Sequence, residues 1–150
     1  MPYGEVPITH ASAGVKRILA LAYLLVWAWH EHKKASELLG EAPSSRVTLL
    51  FDEVEAHLHP RWQRMILPAV LEAVRAIDVP GRGQVVCVTH SPLVLASLED
   101  QWTVNSDRLF AFDLESKDES IEPRAYLEEL PWVPRGDVNG WLTSDIFDLD

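Results

Sequence analysis

One apolar segment with a charged end constrains the fold of this 150-residue chain more than any other feature. The segment RVTLLF (Arg46–Phe51) is β-branched at its start, with Val47 and Thr48, and continues with apolar residues without alternating between apolar and polar side chains. Such a run is typical of a fully buried strand in a parallel sheet. Two adjacent carboxylates, Asp52 and Glu53, follow it. Because buried charge is costly, we expect the strand to end there, at the edge of the sheet.

Two further apolar segments predict additional strands, and helical patterns lie between them. QVVCVT (84–89) is expected to be a second buried strand and RLFAFDLE (108–115) a third. Helices are expected from the N-cap residue Ser12 to about Lys33, from Pro60 to about Ile77 with a kink at Pro68, in HSPLVLASL (90–98), and near 138–147. ASELLGEAPSSR (35–46) is expected to be a linker, and VPGRG (79–83) a turn. The alternation of strands and helices favours an α/β fold with a parallel sheet.

The charge of the chain is unevenly distributed. Residues 113–150 hold 11 acidic and 3 basic side chains, a net charge of −8, which leaves −2 of the total −10 for residues 1–112. An acidic segment repels the phosphates of nucleic acids, and the sequence contains no compensating basic patch. We therefore expect any DNA contact to come through other segments.

The longest apolar run and the single cysteine bear on the cellular setting. Ile18–Trp29 is 12 residues long, against roughly 20 needed to span a bilayer, so no membrane span is expected. We expect this run to be a helix buried on nearly all sides, covered by the rest of the chain or by something outside it. Cys87 cannot form an internal disulfide, so a reducing, cytoplasmic setting is expected.

Polar residues follow both buried strands at the point where they end. Asp52 and Glu53 follow the first, and Thr89, His90 and Ser91 complete or follow the second. If the two strands are neighbours, these groups face one crevice beyond the carboxyl ends of the sheet. There an aspartate can hold a water of a magnesium ion, and an adjacent glutamate can orient an attacking water. A simple capping pair at a strand-to-loop junction would give the same pattern.

The histidines allow a second interpretation. His57 and His59, with Asp52, Glu53 and His90, resemble the ligand set of a metal-dependent hydrolase that uses zinc or a related ion. Imidazoles two residues apart can share a metal only where the backbone is extended. Pro60 and the helix after it place His57 and His59 in a turn, where their side chains would diverge.

Three segments, taken in order, resemble motifs of the ABC-type ATPase heads of SMC, RecF-like and overcoming-lysogenization-defect (OLD) proteins, within the AAA family. ASAGVKRILALAYLL (11–25) resembles the signature motif L-S-x-G-x-x-R, and VTLLFDEVEAHLHPRWQ (47–63) resembles a Walker B strand with its loop. QVVCVTHSPLVLAS (84–97) resembles the switch-histidine strand. The resemblance covers roughly residues 9–115 and implies a three-layer, P-loop NTPase-like parallel sheet with flanking helices. Val54 departs from a frequent proline, and Ala11 from a frequent leucine.

The resemblance also implies roles for individual residues, with ATP and Mg²⁺ as cofactors. Asp52 would hold Mg²⁺ through water, Glu53 would polarise the hydrolytic water, and His90 would contact the γ-phosphate. Ser12 and Gly14 would approach the ATP γ-phosphate of a partner head. Head-to-head homodimerisation would then depend on ATP.

The P-loop pattern G-x-x-x-x-G-K-[ST] does not occur in the 150 residues. In the family this element lies far N-terminal. We therefore expect residues 1–115 to be the C-terminal lobe, or C-terminal half, of a head, and residues 116–150 to be an acidic extension leading toward a further segment. The P-loop half would come from the same gene or a separate subunit.

The expected activity belongs to the complete protein. It is Mg²⁺-dependent ATP hydrolysis coupled to dimerisation, serving DNA repair or phage defence, with an effector such as a nuclease or a toxin. The isolated chain would be inactive because it lacks a P-loop. A non-catalytic docking module, or a relic of such a head, is the alternative.

Overall fold

The computed structural model describes residues 7–44, 46–76, 83–115 and 124–147. A 3-10 turn, Ile8–His10, precedes the first helix. The remaining elements are α1 (Ala13–Leu39), β1 (Val47–Asp52), α2 (Pro60–Ala76), β2 (Gly83–Val88), α3 (Pro92–Ala96), β3 (Leu109–Glu115), β4 (Arg124–Leu130) and α4 (Val138–Leu142). Ile77 and most of the predicted 79–83 turn lie outside the described residues, and Gly83 begins β2. Pro68 lies inside α2 without ending it.

Strands β1 and β2 form the predicted parallel pair, in register from Val47 opposite Gly83 to Asp52 opposite Val88. The prediction that β1 is fully buried is wrong. Its side chains alternate between half-buried and exposed, and Leu50 is 76% exposed. The cause is that packing in the described residues covers one face of this pair, where Phe51 and Cys87 contact the core.

The core lies between this face of the sheet and the helices. Its buried residues come from the segment after β1, from α2 and from α3, namely Val54, Leu58, Ile66, Leu67 and Val94. Ile18 and Leu21 bring α1 against the same cluster. The amphipathic pattern of α2 explains its position, since Ile66, Leu67, Val70 and Val74 are its buried residues.

Helix α1 begins as predicted but differs in length and burial. The Ser12 side chain caps it by accepting a hydrogen bond from the Val15 N–H at 3.3 Å. It continues past Lys33 to Leu39, so the first part of the predicted linker is helical, and Gly40 ends it with a left-handed φ of 68°. The helix is not buried on nearly all sides, because Tyr23 is 67% and Val26 is 69% exposed.

The third predicted strand forms but does not join the parallel pair. Instead β3 pairs antiparallel with β4, from Leu109 opposite Leu130 to Glu115 opposite Arg124. Strand β4 was not predicted, because its sequence RAYLEEL contains mostly strong helix formers. Its conformation follows from pairing with β3, a non-local contact that propensity does not encode.

The segment after β4 packs back onto the region around α3. Trp141 of α4 is fully buried, and its indole N–H donates to Glu99 Oε1 at 2.7 Å. Trp132 stacks on Trp102 with ring centroids 3.8 Å apart. The predicted division at residue 115 stays a prediction. Within the described ranges the structure contains no helix that is both long enough and apolar enough to cross a bilayer.

Candidate functional site

The ends of β1 and β2 bring the predicted polar residues to one edge of the sheet. Asp52 is the last residue of β1 and lies opposite Val88, the last residue of β2. The Glu53 N–H continues the pairing by donating to the Val88 carbonyl oxygen at 3.0 Å. His90 follows two residues later. Asp52, Glu53 and His90 therefore all lie at the carboxyl edge of a parallel pair, where ligands bind in open α/β sheets.

The backbone of Glu53 is held while its side chain remains available. Its φ of 48° is left-handed, which costs a non-glycine residue about 1 kcal/mol. Hydrogen bonds compensate, because its N–H is bound to Val88 and its carbonyl oxygen accepts from Arg17 Nη2 at 2.7 Å. Among the described residues, the exposed carboxylates of Asp52 and Glu53 have no hydrogen-bond or ion-pair partner.

The backbone of His90 is likewise held by a hydrogen bond while its side chain remains accessible. Its N–H donates to Glu55 Oε1 at 2.9 Å, and the hydroxyl of the next residue, Ser91, donates to Gln63 Oε1 at 2.8 Å. Gln63 is itself oriented by a bond from its Nε2 to the Leu58 carbonyl oxygen at 3.1 Å. The imidazole of His90 is exposed. The structure thus fixes the backbone of the histidine and leaves the ring accessible at the edge of the sheet.

Glu55 is the functional candidate that the sequence reasoning missed. It is only 8% exposed, and its Oε2 atom is buried without a hydrogen-bond partner among the described residues. Its charge adds to the effect of burial in raising the pKa of the nearby Cys87 thiol to about 11, with burial the larger cause. The available signal was the second glutamate of the D-E-x-E sequence, a charge placed beside core residues.

The start of α1 lies against the segment that follows β1. Gly14 is buried, and a Cβ atom there would lie 2.9 Å from the His57 carbonyl oxygen and 3.3 Å from the Trp62 ring. This close approach alone requires glycine. Ser12 is exposed and caps the helix. Lys16 Nζ donates to the Thr9 carbonyl oxygen at 2.8 Å, and Arg17 donates to that of Glu53. Both cations near the start of α1 therefore contact backbone oxygens of their own chain.

A cavity of about 210 Å³ lies between α1 and the end of β1. Its lining is apolar except for Arg17 and Asp52. A triphosphate needs many N–H donors and cations around it, as a P-loop provides. The described residues offer Arg17 alone in this lining, so this cavity does not amount to a phosphate site.

The chain matches a family described as "AAA domain, putative AbiEii toxin, Type IV TA system" over residues 3–96. The chain belongs to this family. A mixed α/β structure with a parallel pair of strands fits the P-loop NTPase-like fold of such domains.

Two curated relatives are similar to this AAA-family chain, each over about two thirds of its length. The Retron Ec83 probable ATPase of Escherichia coli is 25% identical over 103 residues, which are 67% of this chain and 15% of that protein. The Septu protein PtuA of Bacillus mycoides (strain KBAB4) is 35% identical over 102 residues, which are 67% of this chain and 12% of that protein. The chain therefore spans less than a sixth of the length of either relative.

The geometry of the histidines does not favour the metal-dependent hydrolase. His59 Nδ1 accepts a hydrogen bond from the Arg61 N–H at 3.2 Å, and the His59 carbonyl accepts from Trp62 and Gln63. His59 thereby caps α2, while His57 takes a left-handed φ of 64°. Across the described ranges, no three histidine, cysteine or acidic side chains are grouped so that they could hold a metal.

A magnesium ion makes different demands from a zinc site. Mg²⁺ keeps most of its waters and needs only one or two carboxylates from the protein. Asp52 fits that requirement because its carboxylate is exposed and has no partner among the described residues. Glu53 and His90 present accessible side chains at the same edge.

Proposed function

We propose that this AAA-family chain is the C-terminal half of an ABC-type, SMC/RecF/OLD-like ATPase head, and that it carries the hydrolytic groups. A P-loop from another segment, of the same protein or of a partner, would complete it. One observation carries the proposal. Asp52, Glu53 and His90 share the carboxyl edge of the β1–β2 pair, with accessible side chains on backbones held by hydrogen bonds.

Each residue has a distinct role in this proposal. Bound Mg²⁺ would supply positive charge to the phosphate oxygens. Asp52 would hold the ion through a water of its shell. The Glu53 carboxylate orients the attacking water and accepts its proton. His90 donates a hydrogen bond to the γ-phosphate, which requires the imidazole to carry a proton on the nitrogen facing it.

Exposed apolar surface supports a three-layer head. Leu50, Val86 and Val88 lie exposed on one face of the β1–β2 pair, and Tyr23, Val26 and Trp27 lie exposed on α1. Exposed apolar side chains grouped on one sheet face or along one helix favour a contact with another segment. We propose that the segment carrying the P-loop covers the exposed sheet face.

The start of α1 supports dimerisation gated by ATP. Ser12 is exposed at the N-terminus of a 27-residue helix, where free N–H groups and the helix dipole favour an anion. We propose that this helix start, with Ser12 exposed and Gly14 packed against the segment after β1, approaches the γ-phosphate bound by a second head. The names of the relatives, a retron probable ATPase and a Septu protein, support a role in defence. We propose a nuclease or a toxin as the effector, with DNA repair the other setting.

The test uses the complete protein with its P-loop segment and measures Mg²⁺-dependent ATP turnover. Glu53→Gln is expected to lower kcat by at least about a hundredfold, because general-base catalysis contributes that much. It should also trap an ATP-bound dimer, visible by light scattering. Glu72→Gln, an exposed change on α2, is the matched control and should behave as wild type.

Two results would contradict the proposal. A Glu53→Gln variant that turns over ATP at the wild-type rate would show that Glu53 is not catalytic. The chain would then be a docking module. Turnover by residues 1–150 alone would show that a separate P-loop is not needed.

A further inference from the structure

We propose that Glu55 is a positioning residue that sets the place of His90 relative to Glu53, an inference that rests on the proposed ATPase function. Its Oε1 atom accepts the His90 N–H at 2.9 Å. The acceptor is a carboxylate, so this bond is stronger than one between neutral groups. Glu55 itself lies two residues after Glu53, in the same turn.

The burial of Glu55 indicates a role beyond stability. The side chain is 8% exposed, and its second oxygen, Oε2, is buried without a partner among the described residues. A buried carboxylate with an unsatisfied oxygen destabilises a fold, and a neutral side chain could accept one N–H at lower cost. The charged acceptor is explained if the chain requires a strong, directional bond at His90.

The turn that carries both glutamates is held as one unit. The Ala56 N–H donates to the Glu53 carbonyl oxygen at 3.0 Å, and the Leu58 N–H donates to the Glu55 carbonyl oxygen at 2.9 Å. Val54, between the glutamates, is buried in the core. A displacement of Glu53 along the edge of the sheet would therefore move Glu55, and through it the His90 N–H.

A second connection fixes the residue after the histidine. The Ser91 hydroxyl donates to Gln63 Oε1, and the Ser91 N–H donates to the Thr89 hydroxyl oxygen at 3.0 Å. Gln63 and Glu55 both belong to the chain that follows β1. His90, through its backbone, and Ser91, through its side chain, are thus both tied to that segment, and within the described ranges only the Glu55 bond reaches His90 itself.

The first experiment measures the bond directly in the 150-residue chain labelled with ¹⁵N. Hydrogen exchange of the His90 amide is compared in wild type, Glu55→Ala and Glu55→Gln, with Glu72→Gln as the surface control. We expect exchange to become about fivefold faster in Glu55→Gln, whose neutral oxygen is a weaker acceptor, and at least about tenfold faster in Glu55→Ala. Unchanged exchange in Glu55→Gln would overturn the inference, even if Glu55→Ala fails to fold.

The second experiment measures turnover by the complete protein. We expect kcat to fall at least about tenfold in Glu55→Ala and less in Glu55→Gln. KM for ATP should stay within about twofold of wild type, because the P-loop supplies most of the phosphate contacts and Glu55 affects only the position of His90. A loss of thermal stability with unchanged kcat would show a purely structural glutamate. Absence of turnover in wild type would instead refute the proposed function, while the amide result would still stand.

Discussion

Arg17 Nη2 donates a hydrogen bond to the carbonyl oxygen of Glu53 across 2.7 Å. Arg17 lies in the second turn of α1, and Glu53 follows β1, so a single bond joins two segments 36 residues apart. It engages the backbone of Glu53 and leaves the carboxylate accessible. The left-handed conformation of Glu53 is therefore supported from α1.

Replacing Arg17 tests this connection. Arg17→Met keeps much of the apolar stem and removes the donor, so we expect the free energy of unfolding to fall by about 1 kcal/mol. Urea denaturation of the chain measures it. Arg61→Met is the matched control, because Arg61 is an exposed arginine on α2. An equal effect of both changes would show that the Arg17 bond does not stabilise the fold.

Gly14→Ala tests the close approach of α1 to the segment after β1. Alanine is normally the better helix former by about 1 kcal/mol, which alone would stabilise α1. Here the added Cβ would lie 2.9 Å from the His57 carbonyl oxygen, which is backbone and cannot easily move. We therefore expect a loss of about 1–3 kcal/mol in the free energy of unfolding.

The control for Gly14→Ala is Ala22→Gly, at an exposed position of the same helix. Ala22→Gly tests helix propensity alone and should lower the free energy of unfolding by about 1 kcal/mol. A stabilised Gly14→Ala variant would mean that α1 does not approach the His57 backbone as closely as the structure shows.

The parallel strand pair and its polar edge were predictable because their signals are local. An apolar run that ends in Asp52 and Glu53 is a strand with a charged end in any context, and Ser12 before a helical pattern is an N-cap signal. The third strand was also visible. Its antiparallel partner was not, because RAYLEEL favours a helix in isolation and becomes β4 only by pairing with β3.

The remaining errors have the same origin in tertiary contacts. We predicted full burial of α1 and β1 from their long apolar runs. Such a run does not show that the rest of the described chain packs on one face of each element only. The bonds that hold Glu53 and His90 come from Arg17 and Glu55, which lie 36 and 35 residues away in the sequence, and no local pattern predicts bonds over such a separation. The position of Asp52, Glu53 and His90 at one edge of the sheet was therefore predictable, and the residues that hold their backbones in place were not.

Glu99→Ala tests how the C-terminal segment is attached. Glu99 Oε1 accepts hydrogen bonds from the Arg135 and Gly136 N–H groups and from the Trp141 indole. The alanine would leave the buried indole N–H unsatisfied, so we expect a loss of about 2 kcal/mol in the free energy of unfolding. Asp100→Ala, at the exposed neighbouring position, is the control.

The tryptophan cluster supplies a second readout for that attachment. Trp102 and Trp132 stack with an interplanar angle of 5°, so their transitions should couple and give an exciton signal in circular dichroism. Trp102→Phe should abolish the signal and identify it. Glu99→Ala should weaken it if residues 131–147 loosen; an intact signal would show that Glu99 is not needed to hold Trp132 in place.

Cys87 gives a prediction about pH. Burial, with a smaller contribution from the charge of Glu55, raises the pKa of its thiol from 9.0 to about 11. The raised value means that folding favours the protonated thiol, so its contribution to stability is complete below pH 9 and is lost as pH rises toward 11.

At pH 8 the thiolate fraction of Cys87 should be about a hundredfold below that of an ordinary cysteine, which slows iodoacetamide alkylation accordingly. The unfolded chain in urea, where the thiol is exposed, is the reference. Glu55→Gln removes the smaller cause only, so it should accelerate alkylation modestly and leave the folded chain slower than the unfolded one. Equal rates in folded and unfolded chains would show that Cys87 is not shielded on the inner face of β2.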